Sequence, residues 1–284
     1  MQKKKRSIRN LIIFSVVALG CGFVGIALDR LNPPSDRMQG LGALIWLTSP
    51  LLANILLRTF GGDGWKDFGI GPNLRASWMW YLAALLIPLI AAVLPLSLGV
   101  IFGAVSLQQG SGVFLYLAGV AFAMSMVKNI FEEFAWRGYL TPRFDSIGIH
   151  PFSNSILTGL IWAGWHVPYS LYYLDRAVLQ AHTSLRLPVF ILMAFLLLPF
   201  QAFAYGEIRL LSKSVWPAWL MHNCANAISL TLLSYGFVTL APDFSGVLLS
   251  PGTEGVIYSL LMGLIGFYLY KFRMSRQAQT AINS

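Results

Sequence analysis

The sequence predicts an all-α membrane protein, a polytopic bundle of about eight transmembrane helices. Of its 284 residues, 56% are hydrophobic and only 11% are charged, whereas about a quarter of the residues in an average soluble domain carry charge. The apolar residues gather into runs that can cross the hydrocarbon core of a bilayer, which takes about 20 residues of helix. The composition therefore predicts a lipid bilayer as the solvent and first partner of this chain.

Eight apolar runs, separated by polar or Pro/Gly-rich joints, are the candidate spans. The first run has the basic start of a signal peptide, but no A-x-A-like cleavage site precedes Asp29, and this favours a retained helix. No internal repeat divides the sequence, so one membrane domain over residues 1–284 is the simplest organisation. The runs lie near residues 10–28, 40–57, 78–102, 112–140, 153–173, 187–207, 215–236 and 254–272.

The positive charges predict the orientation of the bundle. The net charge of +9 gathers at the chain ends and in alternate joints, which argues against nucleic acid as a partner. With both termini in the cytoplasm, 15 of the 20 Lys and Arg residues fall on the cytoplasmic side, four fall outside and Lys128 lies within a span. The positive-inside rule favours this orientation. Short loops and the lack of an organelle signal favour a prokaryotic plasma membrane.

Ionisable side chains inside the fourth predicted span indicate a function, because charge is costly in lipid. Lys128, Glu132, Glu133 and Arg137 fall within ten residues of one another. Glu133 and Arg137 stand four residues apart and can pair on one helix face, whereas Glu132 points about 100° away. We therefore expect Glu133 to have a local partner and Glu132 to have none, which leaves Glu132 for general-base chemistry.

Two further spans carry polar groups that can meet this cluster. The fifth span contains His166, and the seventh contains His222 and Asn226. Counted from the joint near residues 148–151, Glu132 and His166 reach a similar depth in a helical hairpin. His222 lies about 12 Å along its helix from the inner end of the seventh span. The three clusters are therefore predicted to share the cytoplasmic half of the membrane.

The local surroundings of the histidines differ. Trp162 stands four residues before His166, so its indole is predicted to pack against the imidazole. Pro168 lacks a backbone donor and is predicted to kink or end the helix beside that histidine. His150 and His182 fall in predicted loops, where we expect them to be solvated.

Three motifs contain these polar residues. In this order, on three predicted membrane helices, they resemble the CPBP family of intramembrane proteases. That family includes type II CAAX prenyl proteases, bacteriocin-processing enzymes and lysostaphin-resistance-like proteins. The resemblance covers roughly residues 112–236, which is the predicted catalytic core. The motifs are E-E-x-x-x-R from Glu132 to Arg137, aromatic-x-x-x-His from Trp162 to His166, and His-x-x-x-Asn from His222 to Asn226.

The resemblance implies an endopeptidase that hydrolyses a peptide bond with activated water. Glu132 and His166 would bind and deprotonate the water, while His222 and Asn226 would donate hydrogen bonds to the developing oxyanion. The implied substrate is a prenylated C-terminus, a leader peptide ending in Gly-Gly, or another membrane protein. We expect it to enter a cavity that opens towards the cytoplasm and the inner leaflet.

Three residues of the same motifs are predicted to support the site. Arg137 would hold Glu133 and fix the helix face. Trp162 stands where the family commonly has Phe, a like-for-like aromatic exchange. Because every polar position of the motifs is present, the sequence favours an active member of the family over an inactive one.

The sequence favours chemistry without a cofactor. The family has been described both as metal-dependent and as glutamate-dependent, and Glu132, His166 and His222 are the ligands that zinc would use. However, H-E-x-x-H is absent, and the same residues suffice to activate water directly. The G-x-S-G of rhomboid-like proteases is also absent, and residues 60–63 fail the first glycine of the presenilin-like G-x-G-D.

Two alternatives to a protease use the same residues. A proton-coupled transporter could relay protons through buried Glu and His side chains. Transporters are usually built from symmetry-related repeats, and this sequence contains no such repeat, which favours the enzyme. The third alternative is a scaffold that keeps the fold without catalysis.

Overall fold

The computed structural model describes residues 2–108 and 110–282 and shows an all-α membrane bundle. The remaining residues of the predicted 1–284 domain lie outside the described part. Helices occupy all eight predicted span positions, and three shorter helices lie between them. In chain order they are α1 (Gln2–Leu31), α2 (Leu41–Thr59), α3 (Leu74–Ile101), α4 (Phe114–Ala135), α5 (Thr141–Ser146), α6 (Pro151–Pro168), α7 (Arg176–His182), α8 (Leu187–Ser212), α9 (Trp216–Ser229), α10 (Phe244–Leu248) and α11 (Val256–Ile282).

Within the described residues, six helices are long and apolar enough to cross a membrane: α1, α2, α3, α4 with its continuation through α5, α8 and α11. The other two predicted spans, α6 and α9, fall short of that standard. α9 has only 14 residues, and both helices carry the polar side chains of the predicted site. Eight helices thus stand at the predicted positions, and the cytoplasmic location of both termini stays a prediction.

Three helices that carry site residues continue into π-helical turns, which occur frequently at functional sites. The turn after α6 begins directly after Pro168, as the predicted helix break required. Each wider turn disturbs the regular backbone ladder and leaves carbonyl groups that other donors must satisfy. The π turns are Trp136–Leu140 after α4, Tyr169–Tyr173 after α6 and Leu230–Ser234 after α9.

The loops gather at two ends of the bundle. The basic end consists of residues 58–73, 137–146 and 209–215. There, Arg209 donates to the Asp67 carbonyl at 2.6 Å, which ties the α2–α3 loop to the end of α8. The joints after α2, α4 and α8 therefore lie together, in agreement with the alternation that the hairpin prediction assumes.

The cavity end consists of residues 174–186 and 229–255. A short antiparallel ladder, β1 (Val105–Leu107) with β2 (Val238–Leu240), covers part of this end. The sequence analysis did not predict the ladder, because two runs of three residues carry too little periodicity to show a strand.

Candidate active site

The three motif helices bring their polar residues into one buried cluster. Glu132 on α4 accepts a hydrogen bond from Trp162 Nε1 on α6 at 2.9 Å. Glu133 on α4 accepts one from His222 Nδ1 on α9 at 2.8 Å. The rings of Trp162 and His222 meet edge to face, with centroids 5.5 Å apart. Side chains from all three helices thus meet, as the depth prediction required, although α4 and α6 are not among the closely packed helix pairs.

Glu133 is the carboxylate of the pair that is enclosed by Arg137 and His222. Its Oε1 accepts from Arg137 Nη1 at 2.9 Å, the predicted i, i+4 contact, and from the imidazole of His222. The Arg137 guanidinium also lies 4.5 Å from the ring centre of Trp162 and 4.6 Å from that of Tyr205. A buried charge needs such pairing to be tolerated. Glu133 therefore neutralises Arg137 and orients His222.

The prediction that Glu132 has no local partner is wrong. Lys128, one helical turn earlier, pairs with Oε1 of Glu132, while Trp162 occupies Oε2. The prediction took account only of the position four residues towards the C-terminus, which for Glu133 is occupied by Arg137. The i, i−4 direction brings side chains together equally well. Both carboxylates consequently have a cation one turn away, on opposite sides along the helix.

His166 is held in one tautomer by the backbone. Its Nδ1 lies 2.9 Å from the carbonyl oxygen of Trp162, which can only accept, so Nδ1 carries the proton and the neutral ring keeps a lone pair on Nε2. The ring also packs edge to face against Trp165 at 4.8 Å. Trp165 and Trp46 stack at 4.2 Å, and each indole donates to the other's carbonyl, which fixes α6 against α2.

A chain of amides connects α4 to α9. Asn226 Nδ2 donates to Asn129 Oδ1, and Asn129 Nδ2 donates to Asn223 Oδ1, each at 3.1 Å. Asn223 Nδ2 in turn donates to the carbonyl of Trp219 at 3.0 Å. The sequence analysis missed Asn129, although a fully buried amide in an apolar run is a signal of the kind that identified its neighbours. It also missed Tyr205, for which no motif exists.

A cavity of about 280 Å³ lies against this cluster. Glu132 and Glu133 do not line it, and Glu132 is only 1% exposed. Most of the remaining wall is apolar and comes from α6, α7 and α8. The polar part of the wall near the motifs consists of Lys128, Trp162, His166, Tyr205, His222 and Asn226.

The cavity runs towards the cavity end of the bundle, where its wall includes His182, Thr253 and Glu254. The charge pattern assigns the opposite, basic end to the cytoplasm. The two predictions, that the basic end faces the cytoplasm and that the cavity opens there, therefore do not agree with each other, and the side of the membrane on which each end lies stays a prediction. The cavity lies away from the basic end because packed ion pairs fill that end.

His182 is not solvated as expected, whereas His150 is exposed. Its Nε2 lies 2.6 Å from Ser234 Oγ and its Nδ1 lies 3.3 Å from Glu254 Oε2. Burial lowers the pKa of His182, but the nearby carboxylate more than offsets this and raises that pKa above its ordinary value. Burial likewise raises the pKa of Glu254, and the imidazole more than offsets it, so that pKa is lowered. This pair closes the cavity wall between α7 and the α10–α11 loop.

At the basic end, distant side chains hold the π turn that follows the E-E motif. An α-helix would satisfy these carbonyls within its own ladder, but the π turn opens that ladder. The buried donors therefore fix the orientation of the segment carrying Arg137. They are Asn54 to the Phe134 carbonyl at 2.7 Å, Arg58 to that of Gly138 at 2.5 Å, and Arg209 to that of Arg137 at 2.9 Å.

Asp67 joins two of the basic-end arginines. It accepts from Arg58 Nη1 at 2.7 Å and from Arg143 through its other oxygen. Burial raises the pKa of Asp67, but hydrogen bonds from both guanidinium groups more than offset it and hold that pKa below its usual value. The carboxylate thus stays charged and holds the α2–α3 loop against α2 and α5.

The site residues do not fit a zinc ion as they are arranged. Among the described residues, no group of three His, Cys, Asp or Glu side chains is placed to hold a metal ion. A zinc ligand set of Glu132, His166 and His222 would also place a second cation beside Lys128, which already pairs with Glu132. We therefore derive no chemical step through a metal.

Comparison with known families agrees with the geometry. Residues 114–228 match the family model of type II CAAX prenyl endopeptidase Rce1-like proteins. The match starts at the first residue of α4, runs into the last turn of α9, and contains all three motifs. A comparison with curated proteins finds no match. Residues 114–228 of this chain are therefore similar to an Rce1-like domain, in agreement with the resemblance of the three motifs to the CPBP family of intramembrane proteases.

Proposed function

We propose that the protein is an intramembrane endopeptidase that hydrolyses a peptide bond with water activated by Glu132 and His166. The observation that supports this most is the role of Trp162 between the two groups. Its indole N–H donates to Glu132 and its carbonyl accepts from His166. A single residue thus orients a carboxylate and an imidazole lone pair, two acceptors of which one can hold a water molecule while the other removes its proton.

This arrangement determines the path of the proton in the proposed reaction. Water bound by Glu132 and Nε2 of His166 loses a proton to this pair as its oxygen attacks the scissile carbonyl carbon. The same proton is then returned to the nitrogen of the leaving amine when the C–N bond breaks. The pair ends in its starting state, so the reaction needs no redox partner.

His222 and Asn226 are placed to stabilise the oxyanion. Asn226 uses one N–H on Asn129, so its second N–H is available as a donor. His222 gives its Nδ1–H to Glu133, and its Nε2 donates to the oxyanion only when both ring nitrogens carry protons, in which case Glu133 faces both this ring and Arg137. Arg137 and Glu133 act by positioning this ring. Donors that are fixed before the reaction contribute most in a dry site.

The proposed substrate is a membrane-associated peptide. The mostly apolar cavity wall suits an apolar segment of such a peptide. The three substrate classes that the resemblance implies differ in the groups attached to this segment. We also propose a prokaryotic plasma membrane as the location and hydrolysis without a metal cofactor.

Cleavage assays in detergent test the proposal. We expect Glu132→Gln and His166→Asn to reduce kcat/KM for a cleaved peptide by about 10²- to 10⁴-fold each, the typical contribution of general acid–base catalysis. Chelators should leave wild-type cleavage unchanged. A panel holding a prenylated C-terminal peptide, a Gly-Gly leader and an apolar membrane segment covers the substrate classes.

Two control variants separate chemistry from folding. Glu207 is a buried glutamate that pairs with Arg273 at 2.7 Å away from the cavity, so Glu207→Gln matches the first change. His150→Asn matches the second at an exposed histidine. If both site variants cleave as fast as wild type, the assignment is lost. Loss of proton-coupled uptake, in a protein that cleaves none of the peptides, would instead favour the transporter.

A further inference from the structure

Lys128 stands between the cavity and the proposed base. Its side chain is 36% exposed and lines the cavity, whereas the Glu132 side chain is 1% exposed and does not. Among the described residues, it is the only Lys or Arg in the cavity wall. Its ammonium contacts Oε1 of Glu132, and the Trp162 indole covers Oε2. Water in the cavity therefore has to compete with the ammonium for the carboxylate lone pairs.

Lys128 is suited to leave this position. A lysine ammonium is a compact charge on a flexible four-carbon stem, and its three donors turn readily towards another acceptor. The pair with Glu132 is only partly buried, so one partner can move while the ammonium keeps contact with the cavity. The move requires a replacement anion, because an ammonium alone in an apolar cavity is unfavourable.

The rest of the cavity wall specifies what that anion is attached to. The wall between Lys128 and the cavity end is mostly apolar and therefore favours an apolar body over a polar one. Burial of apolar surface there stabilises the bound ligand. The apolar residues of this part of the wall include Leu174, Leu179, Phe190, Met193, Leu197 and Leu230.

We propose that Lys128 is a ligand-operated cap on Glu132, released by a ligand with an apolar body and a terminal carboxylate. The apolar body fills the cavity, its carboxylate takes the ammonium of Lys128, and Glu132 is freed to bind water. This exchange forms and breaks only ion pairs. It rests on the proposed function for its consequence, but the binding step stands without it. The carboxylate is either the C-terminus of an apolar peptide or the head of a fatty acid.

Binding measurements test the cap independently of cleavage. An apolar peptide is titrated into the full-length protein in detergent, once as the free acid and once as the C-terminal amide. We expect wild type to bind the acid about tenfold or more tightly than the amide, since hydrogen bonds to charged groups carry such energies. In Lys128→Met this ratio should fall to about one. Lys128→Arg should keep it, which guards against a folding defect in the first variant.

Lys271→Met is the matched control, because Lys271 is exposed near the C-terminus and does not line the cavity. Decanoate distinguishes the two sources. If decanoate binds to wild type as tightly as the acid peptide and this binding is lost in Lys128→Met, the head of a fatty acid releases the cap. If decanoate does not bind and the acid peptide keeps its advantage over the amide, the peptide C-terminus releases it.

An unchanged acid-to-amide ratio in Lys128→Met overturns the cap, whether or not any peptide is cleaved. Failure of the proposed function would look different. In that case Glu132→Gln would cleave as well as wild type, while the binding ratio would still depend on Lys128.

Discussion

At the basic end of the bundle, Arg58 and Arg143 close on Asp67, and the segment after α4 is held by donors from α2 and α8. At the cavity end, the wall is mostly apolar, and one His182–Glu254 pair connects α7 to the loop before α11. The motif helices pass from one end to the other. The proposed catalytic pair, Glu132 and His166, thus lies between the tightly bonded basic end and the open cavity.

This difference explains how the site can be both fixed and accessible. A general base and its partner need positions held within fractions of an ångström, which buried charge-assisted hydrogen bonds provide. A peptide substrate needs space and a wall that can move. Segments with few polar ties are the ones that open most easily. Substitutions made at one end at a time should therefore change the stability and the activity of the protein to different extents.

The largest loss of stability is expected for Arg137→Leu. Its guanidinium is fully buried and carries the charge that balances Glu133. Removing one partner of a buried pair leaves an uncompensated charge and costs about 3–5 kcal/mol. We expect this decrease in the free energy of unfolding, measured with denaturant in detergent. Arg176→Leu, at an exposed arginine on α7, should change it by less than about 0.5 kcal/mol. If Arg137→Leu lowers the free energy of unfolding as little as Arg176→Leu does, the core tolerates Glu133 without the charge of Arg137.

A smaller loss is expected for Arg58→Met at the basic end. The change removes the donor to the Gly138 carbonyl and one partner of Asp67. Asp67 is 30% exposed and keeps Arg143, so the cost is mainly that of an unpaired buried carbonyl, about 1–3 kcal/mol. Unfolding in detergent measures it, and cleavage should also slow because the π turn loses a tie. Wild-type stability in this variant would contradict the role assigned to the basic end.

The motifs show how far local spacing reaches. The i, i+4 contact of Glu133 with Arg137 follows from helix geometry, and the similar depth of Glu132 and Trp162 follows from the length of the joint between their helices. The burial of charges in lipid indicates function without further structure. These relations concern neighbours on one helix or in one hairpin. They suffice to predict the class of fold and most of the residues that gather in the buried cluster.

Other features depend on contacts that no local pattern encodes. Asn54 reaches the last turn of α4, and Arg209 reaches the π turn after it, from 80 and 72 residues away in the chain. His182 is buried by Glu254, 72 residues later, so its loop position misled the sequence analysis. The direction of the cavity depends on which end of the bundle is packed with ion pairs. Single-sequence reasoning has no access to such pairings.

The smallest effect is expected at the cavity end, for His182→Gln. The pair with Glu254 contributes stability only while the imidazole is protonated and the carboxylate is ionised. The raised pKa of His182 means that its share is present below the unfolded value of 6.5 and is lost as pH rises through the folded pKa. The lowered pKa of Glu254 means that its share is present above 4.5 and is lost at more acid pH.

The difference in stability between wild type and His182→Gln should therefore be largest between about pH 4.5 and 6.5 and shrink above that range. Because Glu254 is 27% exposed, the difference should not exceed about 1 kcal/mol. Unfolding in detergent at pH 5.5 and pH 9 measures it, with His150→Gln as the exposed control. A pH-independent difference would mean that the Ser234 contact, and not the charge, connects α7 to the cavity wall. The cavity end would then be held by uncharged contacts, whereas the basic end is held by ion pairs.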